Sequence, residues 1–359
     1  MSCRKIRSLR VRTVRVPLPV PHTTASGTVA DSPLVLTDVV CDDRSVGHSL
    51  VFTYTPAALK PVAELVSGFA DWIKGDDAAP YGVEQKLLRR LRLLGPQGLT
   101  GIAVAAIDMA LWDAAARRQK VSLAQLLGGT ARSIDAYGAV GYDGAEVSAR
   151  TAEDWGKRGF KGVKAKIGYP SVTEDVAVVR AMRAAAGPEM AIMVDYNQCL
   201  TPTEAVQRMR ALDDEGLTWV EEPTLAHDYA GHALIARAAA TPIQAGENWW
   251  GSLDMQHALD ANASDYLMPD VMKIGGVTGW MRAAALAHAA NKKVSSHLWP
   301  EISAQLLAVT PTAHWLEYAD WWNAVVAEPL VINDGRATFD GVIGSGVEWN
   351  EKAIERYAA

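Results

Sequence analysis

The chain has 359 residues, of which 49% are hydrophobic and 21% charged, and its formal net charge is −6. That length fits one large domain with a smaller companion and a sizeable core, and the acidic balance argues against a nucleic-acid binder or a membrane-surface protein. Its three cysteines, Cys3, Cys41 and Cys199, have no CxxC or paired spacing, which argues against a zinc site or disulfide framework and fits a reducing, cytoplasmic setting.

The N-terminal stretch MSCRKIRSLRVRTVRVPL spreads its arginines through an alternating pattern without an apolar h-region, so it reads as a strand with one wet face and not as a secretory signal. Residues 4–54 carry three strand-like runs, KIRSLRVRTVRVPL, PLVLTDVVCDD and GHSLVFTYT. Between the first two, PVPHTTASGTVADS is rich in Pro, Ser, Thr and Gly, the composition of a long mobile loop of the kind that serves as a lid. From about 56 to 128 the pattern is helical, includes GIAVAAIDMALWDAAARRQ and ends on LAQLLGG, with glycine as the stop signal. Asp108 and Asp113 interrupt the longest apolar stretch, so no uncharged run reaches membrane-spanning length. Strands followed by helices predict a small α+β capping domain over residues 1–130.

After residue 132 short apolar runs alternate with helical segments: IDAYGAV, VKAKIG, AIMVDYN, LTWVEEP, PIQAGEN, DYLMPD, KVSSHLW and HWLEYA. Eight such runs at roughly 25 residues per unit predict a closed parallel α/β barrel, a modified (β/α)7β TIM-like fold over residues 131–320. A doubly wound open sheet is the competitor, but no GxGxxG follows an early strand. Residues 321–359 read as a C-terminal segment that packs back on the capping domain.

Barrel enzymes gather their chemistry at the C-terminal ends of the strands, and this chain places polar residues there repeatedly. Asp195, Glu221 and Glu247 end three successive runs, each 26 residues after the last. Three converging carboxylates without Cys or His form a hard-oxygen site suited to Mg²⁺. Glu222 is set aside as a neighbouring acid because Glu221 is the member in register. Asp270 and His297 end the next two runs, and a carboxylate beside an imidazole orients the ring and raises its basicity. Glu317 lies on the last run. His48, His288 and His314 read as satisfied core histidines.

Lys164 and Lys166 share one face of a strand, an arrangement that needs anions opposite and predicts depressed ammonium pKa values for both. Lys166 on strand two and His297 on strand seven would then face each other across the barrel mouth, as two bases on opposite sides of one carbon.

These motifs, KAK, DYN, EEP, GEN, the Asp270–His297 pair, KIGGVTGW, SSHL and HWLE, together with IDMALWDAAARRQ and LAQLLGG, resemble the mandelate racemase branch of the enolase superfamily along nearly the whole chain. The resemblance implies Mg²⁺ on Asp195, Glu221 and Glu247, with Lys166 and His297 as acid/base catalysts. It also implies Asp270 pairing with His297, Lys164 on the substrate carboxylate, a protonated Glu317 donating to an enediolate oxygen, and Asn197 close to the substrate. It further implies a homo-oligomer, an octamer. Two positions depart from the branch: Ala139 stands where a serine helps to hold the substrate carboxylate, and His22 stands where an apolar lid residue is expected. Val29, Phe52, Tyr54 and Leu298 keep an apolar, aromatic-tolerant wall.

The expected activity is Mg²⁺-dependent abstraction of the α-proton of a small 2-hydroxy carboxylate, racemising mandelate or a related aryl or apolar acid. The alternatives are an acid-sugar dehydratase, for which His22, Thr23 and Thr24 would supply polar lid groups, and a binding protein that keeps the barrel without turnover.

Overall fold

The computed structural model describes residues 4–24 and 27–359; Cys3 and positions 25 and 26 of the lid stretch lie outside the described residues. The chain opens with an antiparallel sheet in the order β1 (Ile6–Thr24), β2 (Gly27–Cys41), β3 (Val46–Phe52). The lid stretch is ribbon and not loop, because β1 and β2 stay paired out to Thr24 and Gly27. The register slips between Pro17 and His22, where Pro19 and Pro21 lie. Proline lacks the N–H a ladder needs, so these residues are accommodated in a bulge and not in the pairing.

Helices α1 (Pro56–Ile73), α2 (Pro80–Arg90) and α3 (Leu99–Gln119) and the single turn α4 (Leu123–Leu126) follow. Thr55 caps α1 by accepting from the Ala57 N–H, with Pro56 at the first helical position, where its missing N–H costs nothing. Helix α3 is long and apolar enough to cross a membrane, yet 78% of that stretch is buried inside the protein. It is wedged between β3 and the barrel. Gly47 of β3 lets it approach, since a Cβ there would stand 2.0 Å from the Ala110 carbonyl oxygen. Its two acids serve as docking points: Asp108 accepts from the Thr278 N–H at 3.0 Å, and Asp113 accepts from the His48 and Ser345 N–H groups at 2.7 and 2.6 Å.

The barrel strands are β4 (Ile134–Val140), β5 (Gly162–Lys166), β6 (Ala191–Asp195), β7 (Trp219–Glu221), β8 (Ile243–Ala245), β9 (Tyr266–Leu267), β10 (Lys293–Val294) and β11 (Leu316–Tyr318). All pair in parallel, β11 closes onto β4, and β10 meets β11 through the Val294–Ala313 bridge. Between successive strands run α5 (Gly144–Lys157), α6 (Val172–Ala186), α7 (Pro202–Leu212), α8 (Tyr229–Ala238), α9 (Gly251–Ala261), α10 (Gly276–Ala289) and α11 (Pro300–Ala308). Several strands hold only two or three paired residues, because the polar ends of the apolar runs curl out of the ladder to form the rim. Helices α6 and α7 start from capping boxes, Ser171 with Glu174 and Thr201 with Glu204, which satisfy their first N–H groups.

Tyr137, Met193 and Trp219 fill the lower barrel interior. The C-terminal stretch adds a hairpin, β12 (Ile332–Asn333) and β13 (Arg336–Ala337), antiparallel to the start of β4. It then runs through α12 (Glu351–Arg356) to β1, where the Arg15 N–H donates to the Tyr357 carbonyl and the Ala359 N–H to the Thr13 carbonyl. His288 is exposed and is not the core histidine expected of it, because its position on α10 faces away from the barrel. His48 is held by Asp38 at 2.8 Å.

Candidate active site at the barrel mouth

The two-residue period of the strands sets the site in layers. Lys166, Asp195 and Glu221 are partners across β5, β6 and β7, while one layer below Ala139, Lys164, Met193 and Trp219 are aligned in the same way. Carboxylate oxygens of Asp195, Glu221 and Glu247 lie within 4.8 Å of one another, and all three residues are buried. Trp219 Nε1 and Gln244 Nε2 donate to Glu221 Oε2 at 3.1 and 3.2 Å, and Asn197 donates to Asp195 through its N–H and Nδ2 at 2.6 and 3.0 Å. Burial, with Asp195 and Glu247 alongside, pushes the Glu221 carboxyl up to about 8 against the pull of Lys164. Three buried acids crowded in this way fit a hard divalent cation, which would let all three ionise.

The lysine pair finds its anions, and the pKa expectation is corrected as a result. Lys164 Nζ lies 2.5 Å from Glu221 Oε1 and 2.9 Å from Glu317 Oε1, and Lys166 pairs with Asp195. Burial acts to lower both ammonium groups, but Glu221 and Glu317 around Lys164, and Asp195 beside Lys166, outweigh it and raise both pKa values. Repulsion between the two lysines is the smaller effect. Glu317 is likewise ionised and not protonated: burial pushes it up, but Lys164 and His297 hold it down at about 2.

Asp270 lies beyond β9 and His297 beyond β10, joined by His297 Nδ1 to Asp270 Oδ2 at 2.6 Å. Asp270 is fully buried and also accepts from the Met272 and Lys273 N–H groups at 2.7 and 3.0 Å and from Trp299 Nε1 at 3.0 Å. That leaves His297 Nε2 facing Glu247 Oε2 at 3.2 Å and Glu317 Oε2 at 3.9 Å. Burial lowers the imidazolium, but Glu247 and the Asp270 bond raise it further, so its pKa lies above the ordinary value. The Leu298 N–H fixes Glu317 Oε2 at 2.9 Å.

Above these groups a cavity of about 650 Å³ separates barrel from cap, reaching Lys166, Asn197, Glu247, His297 and Leu298 on the barrel side and His22, Val29, Phe52 and Tyr54 on the cap side. Ala139 does not line it. Ala139 borders a second cavity of about 360 Å³ on the side of β4, which shares His22 and Trp321 with the first. Glu222, beside the triad, accepts from Asn248 at 2.7 Å. Sequence reasoning missed Lys273, whose Nζ donates to Asn248 Oδ1 at 2.6 Å and lies 4.5 Å from the Tyr54 ring centre, and it also missed Trp321, Trp250 and Trp299. Lys273 sits three residues past Asp270, a spacing that could have flagged it.

Four non-glycine residues with left-handed backbone line this cavity, Tyr54 (φ 58°), Asn197 (φ 44°), Gln198 (φ 65°) and Leu298 (φ 48°), and two more, Glu222 (φ 35°) and Trp299 (φ 55°), adjoin lining residues in the chain or hydrogen-bond to the site's groups. Such conformations cluster where a site demands a fixed orientation.

Residues 6–128 match the mandelate racemase/muconate lactonizing enzyme N-terminal domain, and residues 147–353 the enolase C-terminal domain-like family. The crystal structure of an enolase from Bradyrhizobium complexed with magnesium and mandelic acid is 41% identical, covers 100% of this chain and 99% of that one, and superposes with a TM-score of 0.96. L-talarate/galactarate dehydratase of Salmonella typhimurium is 32% identical across 79% of this chain and 72% of its own length. D-galactarolactone cycloisomerase of Agrobacterium fabrum is 31% identical across 98% of both. With two family models spanning cap and barrel, and with a buried acidic triad suited to the Mg²⁺ found in such relatives, this chain belongs to the enolase superfamily, in its mandelate racemase and muconate lactonizing enzyme branch.

Proposed function

We propose that the chain racemises an aryl or apolar 2-hydroxy acid such as mandelate, by abstracting and returning the α-proton through an enediolate. The observation that carries this reading is that Lys166, from β5, and His297, from beyond β10 across the barrel, border one cavity beside Glu247. Its apolar wall, with Val29, Phe52 and Leu298 among others, suits an aryl substituent, and the mandelic acid complex of the Bradyrhizobium enolase supports that choice.

Mg²⁺ held by Asp195, Glu221 and Glu247 would supply Lewis-acid polarisation of the substrate carboxylate. Lys164 binds that carboxylate. With Asp195 committed to Mg²⁺ its pull on the Lys166 ammonium would weaken; Lys166, once deprotonated to the neutral amine, takes the α-proton from one face, and the C–H electron pair enters the enediolate. His297, as imidazolium, returns a proton to the other face, and the opposite enantiomer runs the same path in reverse. Asp270 holds Nδ1 so that Nε2 is the atom that exchanges the proton. A substrate carboxylate set beside Glu317 places two like charges together, which raises the Glu317 pKa and lets it donate to the developing oxyanion.

The test is ¹H NMR in D₂O with Mg²⁺ and single enantiomers of mandelate and related acids. Loss of the α-proton signal with formation of the opposite enantiomer supports racemisation, and silence with every such acid overturns it. Dehydration of an acid sugar is the second reading, favoured by the polar lid groups His22, Thr24 and Thr28 on the same cavity and by the talarate/galactarate dehydratase relative. A keto-acid product would establish it.

A further inference from the structure

We propose that His22 recognises a hydroxyl group that the substrate carries beyond its α-carbon, which narrows the substrate class of the proposed site and rests on that reading. His22 hangs from the lid ribbon opposite Val29 and is only 9% exposed. Its ring lies 5.2 Å from that of Trp321, a contact of ring faces and edges and not a hydrogen bond. Among the described residues no protein group hydrogen-bonds either of its nitrogens, so an imidazole that is mostly enclosed lines the cavity without a protein partner.

Its place in the fold says what it meets. His22 and Trp321 form the partition between the 650 Å³ cavity above the catalytic groups and the 360 Å³ cavity bordered by Ala139. A substituent directed toward the lid therefore meets His22, which lines both cavities. The methyl of Ala139 brings no hydrogen-bonding group to that second space, and at the partition itself the imidazole is the group that can both donate and accept, since the Trp321 indole N–H only donates. Burial, reinforced by repulsion from Lys166, lowers the His22 pKa to about 4, so at neutral pH the ring offers one donor and one acceptor and suits a neutral oxygen better than an anion.

The selectivity follows from water. In the open cavity water can serve both nitrogens; a bound acid expels it. A purely apolar substituent then leaves the imidazole unpaired, whereas a hydroxyl restores the bonding, so the site favours the hydroxyl-bearing acid while still admitting the apolar one. The shared chemistry is a hydroxyl, whose source is either a ring-hydroxylated aryl acid or the chain of a polyhydroxy acid.

The experiment compares kcat/KM for two pairs, a ring-hydroxylated aryl 2-hydroxy acid against its unsubstituted parent and an aldonic acid against its deoxy analogue, in the wild type, H22V and H22Q. Calorimetry measures binding of the same acids to the Mg²⁺-loaded enzymes. The wild type is expected to favour the hydroxyl-bearing member of one pair by about tenfold, H22V to erase the ratio and H22Q to keep part of it. Taking ratios within each variant cancels general damage to the fold. Inverted product identifies the aryl source, and keto acid the polyhydroxy source. An unchanged ratio in H22V overturns the role of His22, even where turnover is normal. Absent turnover with a binding ratio that still depends on His22 overturns the proposed reaction and leaves the recognition standing.

Discussion

Replacing Lys164 by methionine keeps an apolar stem inside the barrel and deletes only the ammonium. Lys164 is 1% exposed, with Glu221 at 2.5 Å and Glu317 at 2.9 Å. Removing one partner of a buried ion pair costs about 3–5 kcal/mol. Glu221, pushed up to about 8, is already largely protonated at pH 7 and loses little with the ammonium, so Glu317 carries most of the loss and the expected deficit is about 3–4 kcal/mol. Mg²⁺ replaces the missing positive charge beside Glu221. At a hundredfold excess over its dissociation constant a ligand of the native state adds about 2.7 kcal/mol, and K164M should gain more than the wild type at the same Mg²⁺ concentration. Urea unfolding of both proteins, in EDTA and in saturating Mg²⁺, measures the two deficits. Equal midpoints in EDTA, or a deficit that Mg²⁺ leaves untouched, would refute the reasoning.

H297N is expected to exchange the α-proton of one enantiomer in D₂O and to lose racemisation by at least about a hundredfold, because Lys166 still reaches one face; exchange of both enantiomers would count against two opposed bases. His232, buried with Nε2 on the Thr224 carbonyl at 3.1 Å, has its pKa lowered by burial to about 4. The unfolded chain therefore binds the extra proton, and this contribution to stability, complete above about pH 6.5, falls by about 3 kcal/mol as the pH drops through 4; H232L should flatten the slope in denaturant titrations across that range. G47A forces a methyl to within 2.0 Å of the Ala110 carbonyl oxygen and 2.4 Å of the Ala114 nitrogen, and should cost at least about 1–3 kcal/mol, visible as a lowered Tm; an unchanged Tm would show that α3 can draw back from the sheet.

The barrel was legible because each strand end repeats one device, an apolar run closed by a polar residue, and Asp195, Glu221 and Glu247 recur at a constant interval. The KAK pair was legible as one face of a strand. What it does electrostatically was not, because the partners Glu221 and Glu317 are 57 and 153 residues away in the chain. The lid misled for a different reason: Pro, Ser, Thr and Gly are turn formers, yet the ladder from His22 to Thr24 needs only backbone groups on both strands, and the bulge absorbs Pro19 and Pro21. Lys273 escaped notice because a lone lysine is normally a surface residue, and only the fold brings Asn248 and Tyr54 to it.

The six left-handed residues at the rim have a consequence for how this protein tolerates change. Each such conformation costs on the order of 1–3 kcal/mol in a side-chain-bearing residue, and glycine adopts it freely. Glycine at Gln198 or Trp299 would therefore relax the backbone while deleting a wall or a hydrogen bond of the site. Selection for thermal robustness and selection for turnover would pull these positions in opposite directions, and the rim is where a hardened but sluggish variant would first accumulate its substitutions.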